Sequence, residues 1–400
     1  MREVVLVDGM RTAFGKRGGS LKGFSGSQLA ILVAKGLLEK TQLLERGAKP
    51  DTIMCGSALI DSGSLTPARY VALGLGLEDT AGITVEMQCG TSIAAVNSAA
   101  MRILAGCSDI VLAGGFESHS RPVANYATWV EPYKGFGPKQ VWPMLCPQKE
   151  QNVTMPEFAD LMAQRWEISR QACDEFAFRS QARAASAMAK GYFKEEIVPV
   201  EVPGDKKNPG FIFDTDEHPR PNITMEDLQK LRPVRGGDNV TTAGNASGLN
   251  DGASFILMMT AEKAKELGYE PFARWVTCAD IGVDPRYTGI GAAYSNLNAL
   301  KRAGLRVADI DVWECNEAFA AQNLGVIKEM EICSGEKIDI AKWNPNGGAI
   351  AFGHPNGASG TRIGIFCMKE LARTGGRYGA FSSCCGGGQG TTAIIENLRF

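Results

Sequence analysis

The sequence predicts an α/β protein built from two related halves, with a loop-rich segment inserted between them. Three observations carry this expectation. Short β-branched runs alternate with stretches of helical periodicity, the pattern of buried strands separated by helices. A strand–turn–helix unit around Cys89 recurs around His354, and Cys55 and Cys315 end two similar strands at nearly the same separation. From about Ser118 to Asn250 the composition shifts towards aromatics and prolines. At 400 residues the chain also exceeds what one hydrophobic core usually serves. The expected division is residues 1–117 as a first half completed by about 251–268, 118–250 as the insertion, and 269–400 as the second half.

The first half opens directly into a strand at Val4–Val7, with no charged segment and long apolar run of a cleaved leader. Ile53 and Met54 form a strand leading into Cys55-Gly56-Ser57. Thr84-Val85-Glu86 precedes Gln88-Cys89-Gly90-Thr91-Ser92. Ile93, Val96, Ala100, Ile103 and Leu104 then recur at helical spacing until Gly106, a C-terminal cap. Ile110–Ala113 reads as a buried strand ending at Gly114-Gly115. In the insertion, Trp129, Pro132, Tyr133, Phe136, Pro138, Trp142, Pro143 and Pro147 are followed by one long helix from about Pro156 to Lys190. Pro203–Lys207 and Asp214–Arg220 read as exposed loops. In the second half, Asp311–Cys315 is a strand, and Gly353–Gly357 opens a helix that Gly375-Gly376 stops. The last clear strand, Tyr378–Ser382, ends at Cys384-Cys385 before Gly386-Gly387-Gly388.

Composition excludes several functions. Lysine plus arginine (42) nearly balances aspartate plus glutamate (44), so nucleic-acid and anionic-membrane partners are not expected. No apolar run is long enough to span a bilayer. The 11 cysteines contain no CxxC pair, which argues against zinc sites and thioredoxin-type redox centres; no metal is expected. Cys55, Cys107, Cys278, Cys315 and Cys367 sit in apolar stretches as small buried thiols, and reduced thiols suggest a reducing, cytoplasmic setting.

Chemistry concentrates at a few positions. Cys89, between a strand and a helix start, lies where backbone N–H groups and the helix dipole favour a thiolate, and Gly90 suits a strained turn with close substrate approach. The alternative is a small buried cysteine. His354 stands among glycines at a helix entrance, one of 3 histidines. His218 reads as a surface or hinge residue, and His119 as either site-facing or structural. The glycines after Cys384 and Cys385 offer backbone donors to a phosphate or an oxyanion, but lack the spacing of a dinucleotide or nucleotide-triphosphate loop. Asn316-Glu317 follows a buried strand, at the C-terminal end of which ligands usually bind, or Asn316 caps the next helix.

Taken together these motifs resemble the thiolase family. Gln88-Cys89-Gly90-Thr91-Ser92, Gly114–Ser118, Thr242–Ala253, Asn316-Glu317-Ala318-Phe319, Gly353-His354-Pro355 and Cys384–Gly390 stand in the family's order and spacing. The resemblance implies a five-layered αβαβα core, a loop domain that holds coenzyme A, and a homodimer or homotetramer. It implies that Cys89 is acylated, that His354 takes its proton, and that Cys384 exchanges a proton with the α-carbon of the second substrate. Cys385 takes a variable position without a catalytic role. One oxyanion site would use His354 and a water held by Asn316, the other the backbone N–H groups of Cys89 and Gly386. Ser247 and Ala243 match the pantetheine channel and Arg220 a basic residue near the nucleotide; Met155 and Phe319 complete the expected coenzyme A contacts.

The implied activity is an acyl-CoA C-acyltransferase: reversible Claisen condensation of acetyl-CoA with acyl-CoA, and thiolysis of 3-ketoacyl-CoA. Coenzyme A thioesters are the substrates, and no tightly bound cofactor is expected. Acetyl-CoA C-acetyltransferase is favoured over a degradative, longer-chain enzyme or a subunit channelling acetoacetyl-CoA. The chain departs from the family at Thr154-Met155-Pro156, at Thr288, at Gly291–Tyr294 and across Trp129–Trp142, which touches chain-length preference and tetramer assembly rather than the catalytic groups.

Overall fold

A computed structural model describes residues 2–127, 138–204, 206 and 209–399. Trp129, Pro132, Tyr133, Phe136, Asp205 and Lys207 therefore lie outside the described residues, as does most of the Trp129–Trp142 departure.

Apolar, β-branched runs become strands covered on both faces. The principal strands are β1 (Val4–Thr12), β2 (Thr52–Cys55), β3 (Ala81–Thr84), β4 (Ile110–Ser118), β5 (Asn250–Thr260), β6 (Ala273–Gly282), β7 (Ile310–Cys315), β8 (Tyr378–Cys385) and β9 (Gln389–Asn397). They lie in an 11-stranded sheet in the order β7-β8-β9-β6-β1-β5-β4-β2-β3. The two sides of this path share one wiring. β2 runs parallel to β4, and β4 antiparallel to β5, as β7 runs parallel to β8 and β8 antiparallel to β9. β1 then pairs with β5 as β6 pairs with β9. The halves meet through a short antiparallel contact, Val5 and Leu6 against Arg274 and Ala273. The duplication read from the sequence is thus a repeated strand order.

The helices flanking these strands are α1 (Gly26–Thr41), α2 (Pro67–Gly74), α3 (Thr91–Leu104), α4 (Met155–Arg165), α5 (Arg170–Ala189), α6 (Gly291–Ala303), α7 (Ala320–Ser334) and α8 (Asn356–Thr374). Three apolar clusters define the layers. Leu29, Val33 and Leu37 of α1 and Val71 of α2 cover the outer face of the first half. Ile93, Val96 and Ile103 of α3 meet Ile363 and Leu371 of α8 between the halves. Ala299 and Leu300 of α6, with Val326 and Met330 of α7, cover the outer face of the second half. This is the five-layered αβαβα arrangement. Burial on both helix faces explains why α8 carries almost no exposed residue before its C-terminal cap at Gly375.

Glycine permits the central layer. Gly114 and Gly115 do not end β4, which continues to Ser118. A Cβ on Gly115 would run into the Gly357 carbonyl, so the glycine lets the start of α8 press against the strand.

The insertion departs from expectation twice. The long helix is two: α4 ends at Arg165, Glu167 adopts a left-handed conformation, and Ser169 caps α5 by accepting the Ala172 N–H. The break lets Trp166 bury its ring and donate to Glu329. The second departure concerns Asp214–Arg220, where Asp216 is buried rather than exposed. Its carboxylate takes two hydrogen bonds from the Arg11 guanidinium at 2.7 and 2.9 Å, and Glu196 takes a third at 2.7 Å. Phe14, Phe193 and Phe366 surround this cation. Removing one partner leaves a buried charge uncompensated, so Asp216→Ala should lower unfolding free energy by about 3–5 kcal/mol in urea titrations. A loss no larger than a surface substitution gives would contradict this.

Candidate active site

The site forms where strand-to-helix turns from both halves meet. Cys89 occupies a single 3₁₀ turn, Gln88–Gly90, that runs straight into α3. The strain of this turn falls on Gln88, at φ 49°, and not on Gly90. Gln88 is held there by its own N–H and side-chain amide, both donating to Glu86 at 2.7 Å. Such a conformation costs about 1–3 kcal/mol and persists only when neighbours enforce it. Gly90 serves a different purpose from the one the sequence suggested. What approaches it is Cys385, whose sulfur would collide with a Cβ there.

The half-buried Cys89 sulfur meets groups from far along the chain. Asn356 Nδ2 donates to it at 3.2 Å, and the Gly386 N–H is also directed at it. Burial nevertheless pushes the thiol up to about 11, with buried Glu117 adding to the rise. Glu117 is itself lifted to about 8 by burial, although the N–H groups of Ala58 (2.9 Å) and Gly357 (3.2 Å) hold its carboxylate.

His354 is buried, and its ring is oriented from both sides. Nδ1 lies 2.6 Å from Ser359 Oγ, whose hydroxyl donates in turn to the Pro355 carbonyl at 3.1 Å. That chain places the ring proton on Nδ1 and leaves Nε2 as a lone pair. Asn316 Nδ2 approaches Nε2 at 3.3 Å. Desolvation pushes the imidazole down to about 3, with His119 and Arg362 acting in the same direction, so the free ring is neutral. Asn316 is no helix cap: α7 begins at Ala320, with Phe319 at the cap. Its backbone is fixed by Ser382 O and Asn323 Nδ2. Asn316 Oδ1 is buried without a hydrogen-bond partner among the described residues.

Strand alternation separates the paired cysteines. Cys384 lies near Cys315 in the apolar cluster that also holds Ala318 and Phe319, whereas Cys385 goes beneath Gly90. Burial holds the Cys384 thiol well above its ordinary range, and the neighbouring Cys89 thiol adds to this.

Among the residues expected to hold coenzyme A, Ser247 and Phe319 adjoin the site. The Ser247 N–H donates to Ala318 O, Ala246 bridges to Phe319, and the His354 N–H donates to Gly248 O. Phe319 packs edge-on against Phe158 of α4, the helix that Met155 begins. Ala243 and Arg220 are exposed, and no hydrogen bond joins them to Cys89, His354 or Cys384 among the described residues. His218 is not a surface residue: it is half-buried against Gly248 and pushed down to about 4 by burial, with Arg220 and Lys16 adding to the shift. Asn356 and Ser359 were not singled out in the sequence. Their position in the first turn of the helix that His354 introduces was the available signal.

A half-buried thiol, a neutral histidine and a second, buried thiol, gathered at the helix entrances of a duplicated α/β core, fit an acyl-transferring enzyme. The thiolase N-terminal domain family matches residues 4–262, and the thiolase C-terminal domain family matches 269–397. The beta-ketothiolase BktB of Cupriavidus necator is 40% identical, over 99% of this chain and 100% of its own. An acetyl-CoA acetyltransferase of Thiocystis violacea is 38% identical, over 99% of both chains. The crystal structure of human mitochondrial 3-ketoacyl-CoA thiolase in complex with CoA superposes with a TM-score of 0.90 at 37% identity, over 99% of this chain and 98% of that one. The chain belongs to the thiolase family and is an acyl-CoA C-acyltransferase.

Proposed function

We propose that the enzyme is an acetyl-CoA C-acetyltransferase acting on short acyl chains, with Cys89 as the acylated nucleophile. The observation that carries this reading is the convergence on one sulfur of Asn356 and the Gly386 N–H, with the Cys384 thiol beside it. In the first half-reaction, His354 Nε2 takes the Cys89 proton as the sulfur attacks the thioester carbonyl. The oxyanion is held by the N–H groups of Cys89 and Gly386. The intermediate then expels coenzyme A thiolate, which leaves with the proton from His354. In the second, Cys384 passes its own proton to His354 Nε2 and, as a thiolate, takes one from the α-carbon of acetyl-CoA. The enolate oxygen accepts from the Nε2–H that His354 now carries and from a water that also donates to Asn316 Oδ1, an acceptor that no donor reaches among the described residues. The carbanion then attacks the acyl carbon, a carbon–carbon bond forms, and the bond to Cys89 breaks as its sulfur takes the proton back from His354.

Thiolysis is the reverse sequence. The raised pKa of Cys384 suits this task, because the weaker the acid, the stronger the base it leaves for a carbon acid.

Ser247, Ala243, Arg220, Met155 and Phe319 are the coenzyme A contacts in this reading, supported at Ser247 and Phe319 by their place beside His354. We further infer the segment division 1–117 with 251–268, 118–250 and 269–400, a homodimer or homotetramer, and a cytoplasmic setting. All 11 cysteines being free supports a reducing compartment. No helix among the described residues is long and apolar enough to cross a membrane.

Comparing CoA-dependent thiolysis of acetoacetyl-CoA and 3-ketooctanoyl-CoA tests the substrate class. The expected result is a kcat/KM at least about tenfold higher for the shorter substrate, the scale on which a filled apolar pocket rejects extra methylenes. A reversed preference would instead assign a degradative, longer-chain enzyme.

A further inference from the structure

The side chain that donates to the Cys89 sulfur is not the histidine expected to deprotonate it. It is Asn356, the first residue of α8, whose Nδ2 lies 3.2 Å from the sulfur. The other end of the same amide, Oδ1, lies 2.7 Å from His119 Nε2. We propose that Asn356 is a further catalytic residue, stabilising negative charge on the Cys89 sulfur, and that His119 is the positioning residue that fixes its amide. This rests on Cys89 being the nucleophile of the proposed function.

The chemistry of the amide is what makes His119 necessary. An asparagine side chain is nearly symmetric in shape, with a donor and an acceptor end. Facing the sulfur with Oδ1 would set lone pairs against a developing thiolate, whereas Nδ2 offers a hydrogen. His119 selects between them. Burial pushes its pKa down, with Arg17 acting in the same direction, so the ring is neutral and has a single N–H. With that hydrogen on Nε2, Asn356 Oδ1 is its acceptor and Nδ2 is turned to Cys89. The backbone that carries the ring is anchored, because Asp251 in β5 accepts the His119 backbone N–H.

The other groups around the sulfur leave a need for such a donor. Glu117 on β4 opposes a thiolate, and Cys384 and Cys385 on β8 are buried thiols that offer no positive charge. Glu86 lies behind Cys385, and His354 is neutral. The Gly386 N–H is the remaining contribution from the second half, and Asn356 is the larger of the two. A hydrogen bond to a charged acceptor contributes about 1.5–3 kcal/mol, or roughly ten- to a hundredfold in the population or rate it governs.

The test is the pH dependence of Cys89 alkylation by iodoacetamide in the intact enzyme, together with single-turnover acylation by acetyl-CoA. Asn356→Ala should slow alkylation about tenfold at each pH from 7 to 9, equivalent to a thiol shifted up by about one unit. Its kcat should fall in step while KM for the acyl-CoA stays unchanged. His119→Phe should move alkylation in the same direction by a smaller factor. His119→Gln, whose amide N–H can still reach Asn356 Oδ1, should restore most of the loss. The His119 pair carries the test if Asn356→Ala fails to fold. An unchanged profile in folded Asn356→Ala, or His119→Gln no better than His119→Phe, overturns the proposal. Mass spectrometry of the acyl-enzyme separates the two readings. An acyl group away from Cys89 removes the proposed mechanism whatever the alkylation shows, whereas acyl-Cys89 with an unshifted profile removes only the role of Asn356 and His119.

Discussion

Cys89→Ala should abolish both condensation and thiolysis, with a loss of about 10⁴-fold or more, since removing a nucleophile leaves only binding and oxyanion stabilisation. The acyl adduct should vanish from the mass spectrum of enzyme treated with acetyl-CoA. Retention of normal acetoacetyl-CoA thiolysis would refute the assignment. The physical environment sharpens the expectation. With the thiol near 11 and His354 near 3, the resting pair is neutral, so proton transfer accompanies attack instead of preceding it. Alkylation of the parent enzyme should therefore climb through pH 9 without a plateau. His354 adds no acid limb between pH 5 and 8. The depressed His354 pKa also bears on stability, and the sign is fixed. Its contribution is complete above 6.5, the ordinary value, and is lost as pH falls from there towards 3, because the unfolded chain takes up the proton first.

Cys384→Ala should separate the half-reactions. Acylation of Cys89 should survive, because attack and oxyanion binding use groups that this change leaves in place. Condensation should fall by about 10²–10⁴-fold, the usual contribution of a general acid or base. Exchange of acetyl-CoA methyl protons with deuterated solvent should disappear in parallel. If the variant condensed normally, or if Cys385→Ala had the larger effect, the assignment between the two adjacent cysteines would be reversed. Cys384 is preferred here because it shares an apolar cluster with Phe319 and Ala318, while Cys385 is occupied beneath Gly90.

What could be read from the sequence was local chemistry. Cys89, His354, Asn316 and Cys384 each follow or end a short apolar run, and that pattern alone placed them at strand ends and helix entrances. The repeated strand order was legible for the same reason, since both halves use the same alternation. Features joining distant positions were not legible. Asp216 sits in a stretch as polar as any exposed loop, and only Arg11, 205 residues away, makes it a core residue. His119 and Asn356 are 237 residues apart and have no pattern in common. Gly90 illustrates a subtler gap: its small size was evident, but not that the neighbour it accommodates is a thiol from β8. The break between α4 and α5 was masked because apolar spacing continues across it, and only Ser169 announces the second helix.

The connection between Cys89 and α8 also bears on how the protein is made. Asn356 is translated 267 residues after Cys89, and Gly386 later still. While the first half is emerging from the ribosome, Cys89 therefore lacks the Asn356 and Gly386 donors, and His354 and Cys384 are not yet made. It acquires them only when the far end of the chain docks into the central layer. In the proposed mechanism, unfinished chains thus carry the nucleophile without the groups that activate it, and the arrival of α8 and β8 supplies them.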